Sequence, residues 1–121
     1  MTDETMEMIV SSLNELEKAV LEQMRRKTVL DGLAEQIKEA MVERRNNTGA
    51  GFYTKLKTKK GTELIENTML TGVYAHVTGL NHPMAFVLFV KDGMIDTLEG
   101  AAVEDSAVSI DFSRVRFEII Q

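Results

Sequence analysis

Two hydrophobic periods divide the chain. Over the first 45 residues, Met6, Ile9, Val10, Leu13, Leu16, Val20 and Met24 recur at three- and four-residue steps. That spacing puts apolar side chains on one face of a helix. Glu15, Glu17, Lys18 and Glu22 fall between them and are expected to face water. Acids gather at the start (Asp3, Glu4, Glu7) and bases at the end (Arg25, Arg26, Lys27), as the helix dipole favours. Helix propensity then drops across residues 28–32. A second stripe follows through Leu30, Leu33, Ile37, Ala40 and Met41, ending at Arg44 and Arg45. The heptad phase continues across the gap, but one helix of about 40 residues would run roughly 60 Å. The radius of gyration expected for this length is only about 14 Å. Gln23, Lys27 and Arg44 would also spoil the seam of a dimerising rod. Two helices are therefore expected within residues 3–45.

From Asn46 the period changes from 3.6 to 2. Asn46-Asn47-Thr48-Gly49 reads as a helix C-cap and turn, with Gly49 in the left-handed position. Phe52, Thr54 and Leu56 then alternate with Tyr53, Lys55 and Lys57, and outward lysines suggest a protected edge strand. Residues 57–61 read as loop, and 63–69 as a short strand or irregular segment. The plainest element is a hairpin. Met84 to Val90 is followed by Lys91-Asp92-Gly93-Met94 and then Ile95-Asp96-Thr97-Leu98-Glu99. Asp-Gly between two apolar runs predicts a two-residue type I′ turn. Its register sets Val90 against Ile95, Leu88 against Thr97 and Phe86 against Glu99, and on the other face Val87 against Leu98. Residues 85–90 are apolar on both faces, so both faces need cover. Val73, Ala75 and Val77 share one side of a preceding strand, and Tyr74 and His76 the other. Residues 79–83 make the reversal, 100–109 read as loop, and 114–120 as a closing strand. The expectation is an α+β fold: a helical pair (3–45) packed on a four- to five-stranded antiparallel meander (50–121), in one domain of residues 1–121.

Composition narrows the function classes. The chain has 121 residues, 14 bases against 19 acids, and no cysteine. The net charge of −5 argues against phosphate-backbone binding as the main task. Without cysteine there are no disulfides, thiolate metal sites or cysteine nucleophiles. His76 and His82 are too few for an imidazole-rich metal centre. The acidic start lacks the pattern of a signal peptide, and the longest apolar run, residues 84–90, is far short of a bilayer span. The expected setting is cytoplasmic, with no membrane or nucleic-acid partner and no cofactor.

Residues 30–100 resemble a family of small uncharacterised bacterial proteins, of a kind also found on mobile elements. Two patterns carry the resemblance. One is Arg45-Asn46-Asn47-Thr48-Gly49-Ala50-Gly51-Phe52-Tyr53-Thr54, linking a helix to a first strand. The other is the apolar strand at 86–90, Asp92-Gly93, and Ile95-Asp96-Thr97-Leu98-Glu99-Gly100. Where such proteins follow with an aromatic and Trp-Pro, this chain has Ala101-Ala102-Val103 and no tryptophan. The resemblance supports the fold and implies no activity.

Candidate chemistry is sparse. Thr48-Gly49-Ala50-Gly51 leaves a helix end instead of entering a helix start, so it reads as a turn and not a phosphate loop. No serine sits in a nucleophile pattern, and no catalytic residue is assigned. Glu99, set opposite Phe86 on an apolar face, is the most notable carboxylate. It is expected to pair with Arg45, Arg114 or Arg116 as a support for the fold. An alternative makes Tyr74, His76, Glu99 and Arg45 ligand-binding residues in a pocket between helices and sheet, in a small-molecule binder or enzyme. A third reading is an acidic protein that occupies a basic partner. The leading expectation is a non-enzymatic interaction module acting as a homodimer. Val87, Phe89, Met94 and Leu98 form its interface, because the helices can cover only one face of the sheet. The eight methionines suit both core filling and adaptable contact surfaces.

Overall fold

Asn14 opens the first helix, α1 (Glu15–Lys27), of a computed structural model that describes residues 11–58 and 67–121. Met6, Ile9 and Val10 of the first stripe, and most of the segment between the second and third strands, lie outside the described residues. The Asn14 side-chain oxygen accepts from the Glu17 amide at 2.8 Å, and the Glu17 carboxylate accepts from the Asn14 amide at 2.8 Å. This reciprocal box satisfies two backbone donors that a helix start otherwise leaves free. Leu16, Val20, Leu21 and Met24 are buried, as the three- and four-residue steps predict. At the far end Lys27 Nζ donates to the Gly72 carbonyl at 2.6 Å. The chain then breaks at Gly32, whose φ of +87° suits glycine, and restarts as α2 (Leu33–Glu39). Among the described residues two helices form, as expected.

Six strands follow among the described residues: β1 (Met41–Asn47), β2 (Gly51–Lys57), β3 (Thr68–Val77), β4 (Met84–Lys91), β5 (Met94–Ala101) and β6 (Phe117–Ile119). They form one antiparallel sheet in the order β1-β2-β5-β4-β3-β6. The class is α+β with an antiparallel sheet, as the change of period implied. The four- to five-stranded meander is corrected in two respects. Only β3-β4-β5 is a meander; β2 joins the sheet through β5, and β6 pairs with the free side of β3. The extra strand is β1, which occupies residues assigned above to the helical part.

Its presence changes three local expectations. Asn46 to Gly49 is not a helix C-cap but the turn of a β1–β2 hairpin, with Thr48 N donating to the Gly51 carbonyl at 3.0 Å. The Arg45–Thr54 pattern therefore links two strands. β2 is an interior strand; β1 is the edge, and its Val42 exchanges hydrogen bonds of 2.9 and 2.6 Å with Ser11.

The β4–β5 hairpin turns at Asp92-Gly93, both with positive φ (55° and 79°), as a type I′ turn requires. Lys91 faces Met94 and Val90 faces Ile95, as the turn dictates. Asp96 is then an extra residue, so Phe89 faces Thr97, Leu88 faces Leu98 and Val87 faces Glu99. This β-bulge shifts everything beyond it by one position. Leu98 consequently points into the core, fully buried, and Glu99 points away from it. The expected pairing of Phe86 with Glu99 does not occur; Phe86 faces Gly100.

One hydrophobic cluster gathers the inner face of the sheet (Phe52, Leu56, Leu70, Val73, Ala75, Val77, Met84, Phe86, Leu88, Val90, Ile95, Leu98) with Leu16, Val20, Leu21, Met24 and Leu33 of the helices. Buried Gln36 of α2 ties the hairpin turn to this layer, donating to the Gly93 carbonyl at 3.0 Å and accepting from Ile95 N at 2.8 Å. Residues 102–116 fold over the β2 end of the same face. Phe112 packs against Phe52 with ring centroids 4.8 Å apart and planes tilted by 48°, and Asn47 Nδ2 donates to the Ala107 and Ile110 carbonyls at 2.9 and 3.2 Å.

Candidate functional site

The described helices and residues 102–116 pack on one face of the sheet, so the other face carries the exposed chemistry. Register places its side chains in rows. Lys55, Thr97, Phe89 and Met69 make one row; Tyr53, Glu99 and Val87 the next; Ala101, Ala85 and Tyr74 a third. Val87 and Phe89 are half-buried by same-face neighbours, while Met69 is 60% and Tyr74 47% exposed. An apolar strip therefore runs along β4 and β3. Lys55 Nζ is ion-paired with Asp96 beside it, and the Thr97 hydroxyl donates to Asp96 at 2.7 Å. Burial works against the Asp96 charge, yet the hydrogen bonds from Lys55 and Thr97 hold its carboxyl below the usual range.

The sequence-assigned residues separate on this frame. Val87 and Phe89 lie on the open face as expected. Leu98 does not, because the bulge turns it inward. Met94 sits at the hairpin end, half-buried, with its sulfur accepting from the Thr58 hydroxyl at 3.5 Å. Tyr74, His76 and Glu99 lie on the open face, away from the described helices, so among the described residues they line no pocket between helices and sheet. His76 pairs across the strand with Glu118, and Glu99 stands exposed between Tyr53 and Val87. Arg45 is not its partner.

Arg45 belongs instead to a cluster around the buried Glu17 carboxylate on the inner face. Its Nε and Nη2 donate to the two Glu17 carboxylate oxygens, each at 2.8 Å, and Nη2 also reaches the Ser12 carbonyl at 2.9 Å. The Thr54 hydroxyl donates to Glu17 at 2.6 Å. With the Asn14 amide, the carboxylate accepts four hydrogen bonds while only 1% exposed. Such a bidentate pair, with its remaining lone pairs satisfied, is how a buried charge is held. Hydrogen bonding to Glu17 raises the Arg45 pKa above its ordinary value. Glu17 was expected to face water. The pattern Asn14-x-x-Glu17 is the signal for its capping role, and the β1 strand that delivers Arg45 is what that expectation lacked.

Beside this cluster opens a cleft of about 300 Å³ between the start of α1, β1, and residues 110–113. Phe52, Phe112 and Ile110 form its apolar lining, and Arg45, Asn46 and Asp111 its polar one. Two hydrogen bonds from Ser113, from its hydroxyl at 2.6 Å and its amide at 3.1 Å, hold the Asp111 carboxyl below the usual range. Among the described residues no group of three or more His, Asp and Glu is placed to hold a metal ion. No described helix is long and apolar enough to cross a membrane. No family model, curated protein or solved structure matches the chain.

Proposed function

We propose that this protein is a non-enzymatic interaction module that pairs with a second copy of itself through the open face of β3, β4 and β5. The observation that carries the reading is the strip Met69, Phe89, Val87, Tyr74, apolar and facing away from the core cluster. Contiguous apolar surface rimmed by polar groups usually marks an interface. One further feature favours a twofold pairing: the charges are self-complementary. Lys91 lies two residues to one side of Phe89, and the Val87–Glu99 row two residues to the other. A twofold axis along the Phe89 row sets the lysine of one copy over the acid row of its partner.

The alternative, a ligand pocket around Tyr74, His76 and Glu99, has less support, because the three share an open sheet face. Sedimentation equilibrium at micromolar concentration tests the dimer. The expected mass is twice the 13.6 kDa of one chain, and Phe89→Glu is expected to return it to 13.6 kDa with the far-UV spectrum unchanged. A wild-type monomer up to about 100 μM, a concentration that saturates a micromolar dimer, overturns the reading.

A further inference from the structure

Every donor on Arg45 except those of Nη1 is committed to Glu17 or Ser12. The Nη1 N–H groups make no hydrogen bond among the described residues, and Arg45 lines the 300 Å³ cleft. Asp111 lines it too, with Oδ1 taken by Ser113 and Oδ2 accepting no hydrogen bond among the described residues. The same cleft has an apolar wall of tilted aromatics, Phe52 against Phe112, with Ile110. A ring-sized molecule fits, since an apolar cavity of about 150 Å³ already holds benzene.

The polar groups select what that ring must carry. Arg45 offers only donors and Asp111 only an acceptor. Asp111 also feels the charge of Arg114, so neither sign of ligand charge is favoured overall. A carboxylate or phosphate ligand satisfies Arg45 but faces Asp111. An amidinium or amine satisfies Asp111 but faces the guanidinium. A neutral carboxamide presents an oxygen to one and an N–H to the other. We infer that this cleft is a binding site for a small, uncharged aromatic amide, its ring against Phe52 and Phe112 and its amide between Arg45 and Asp111. The site lies on the helical face of the sheet and is independent of the proposed dimer surface.

Three probes of equal shape isolate the claim: benzamide, benzoate and benzamidine, titrated against amide-resolved NMR spectra of the full chain. Benzamide is expected to shift the resonances of Asn46, Phe112 and Ser113 with a millimolar Kd, as suits a probe this small. Benzoate and benzamidine are expected to bind at least about threefold more weakly, since each meets one like charge. Asp111→Asn, at an exposed position, should narrow or reverse the disadvantage of benzoate, and Phe112→Ala should weaken all three probes. Cleft resonances unmoved by any probe at about 10 mM, well above a millimolar Kd, would overturn the inference. So would a charged probe binding as tightly as benzamide, or Asp111→Asn leaving the order of the three unchanged.

Discussion

Replacing Arg45 with methionine removes three hydrogen bonds from one cluster and leaves the Glu17 carboxylate buried without its counter-charge. Two of its four donors, the Asn14 amide and the Thr54 hydroxyl, remain. Taking one partner from a buried ion pair costs about 3–5 kcal/mol. The Arg45 side chain is 34% exposed, so water screens part of the interaction and the low end applies, about 3 kcal/mol. For a domain of this size that lowers Tm by about 12 °C. Urea unfolding followed by circular dichroism measures it, with the m-value expected to be unchanged. The second variant separates charge from packing. In Glu17→Gln/Arg45→Met the amide oxygen still accepts from Asn14 N, the amide NH2 in place of Oε2 donates to the Thr54 hydroxyl oxygen, and no buried charge is stranded. It should recover at least about 1 kcal/mol over Arg45→Met alone. A loss below about 1 kcal/mol for Arg45→Met, within the range of ordinary surface pairs, would refute the cluster as a support of the fold. A double variant less stable than the single one would refute the charge argument.

Two further outcomes follow from the geometry. Gly51→Ala should abolish folding or leave only aggregate on expression, because at φ +148° a Cβ would stand 1.9 Å from the Gly100 carbonyl oxygen, which is backbone and cannot yield; a soluble, cooperative Gly51→Ala protein would contradict the β2–β5 register. Glu99→Gln, on the open face, should change unfolding free energy by less than about 0.5 kcal/mol, and a loss of several kcal/mol would restore the buried carboxylate expected from the unbulged hairpin.

Local signals in the sequence were sound where the structure is local. The Asp92-Gly93 turn, the alternation of Val73, Ala75 and Val77, and the break before Leu33 all follow from a few neighbouring residues. β1 was hidden because its sequence, Met-Val-Glu-Arg-Arg-Asn-Asn, buries only Val42. Ala40 and Met41 also continue the helical phase into it. Pairing with β2, and not propensity, makes it a strand. The bulge at Asp96 was masked by its partner, since residues 85–90 are apolar on both faces and fix no register, yet it reverses the roles of Leu98 and Glu99. The Glu17 cluster combines both cases: its capping half was readable in Asn14 and Glu17, whereas its Arg45 and Thr54 half depends on strands brought in from elsewhere in the chain.

The strand order has a consequence for how this protein is made. β1 and β2 attach to the sheet only through β5, although about 40 residues separate β2 from the end of β5. On a ribosome adding about 5–20 residues per second, the early helices and hairpin wait roughly 2–8 s for the strand that completes their side of the core. During that interval Phe52 and Leu56 lack the β5 neighbours that complete their side of the core, and β2 offers an unpaired edge. Lys55 and Lys57, which in the finished molecule flank an interior strand, stand along that edge while it is bare. Their charge guards the nascent chain against pairing with its neighbours until β5 arrives.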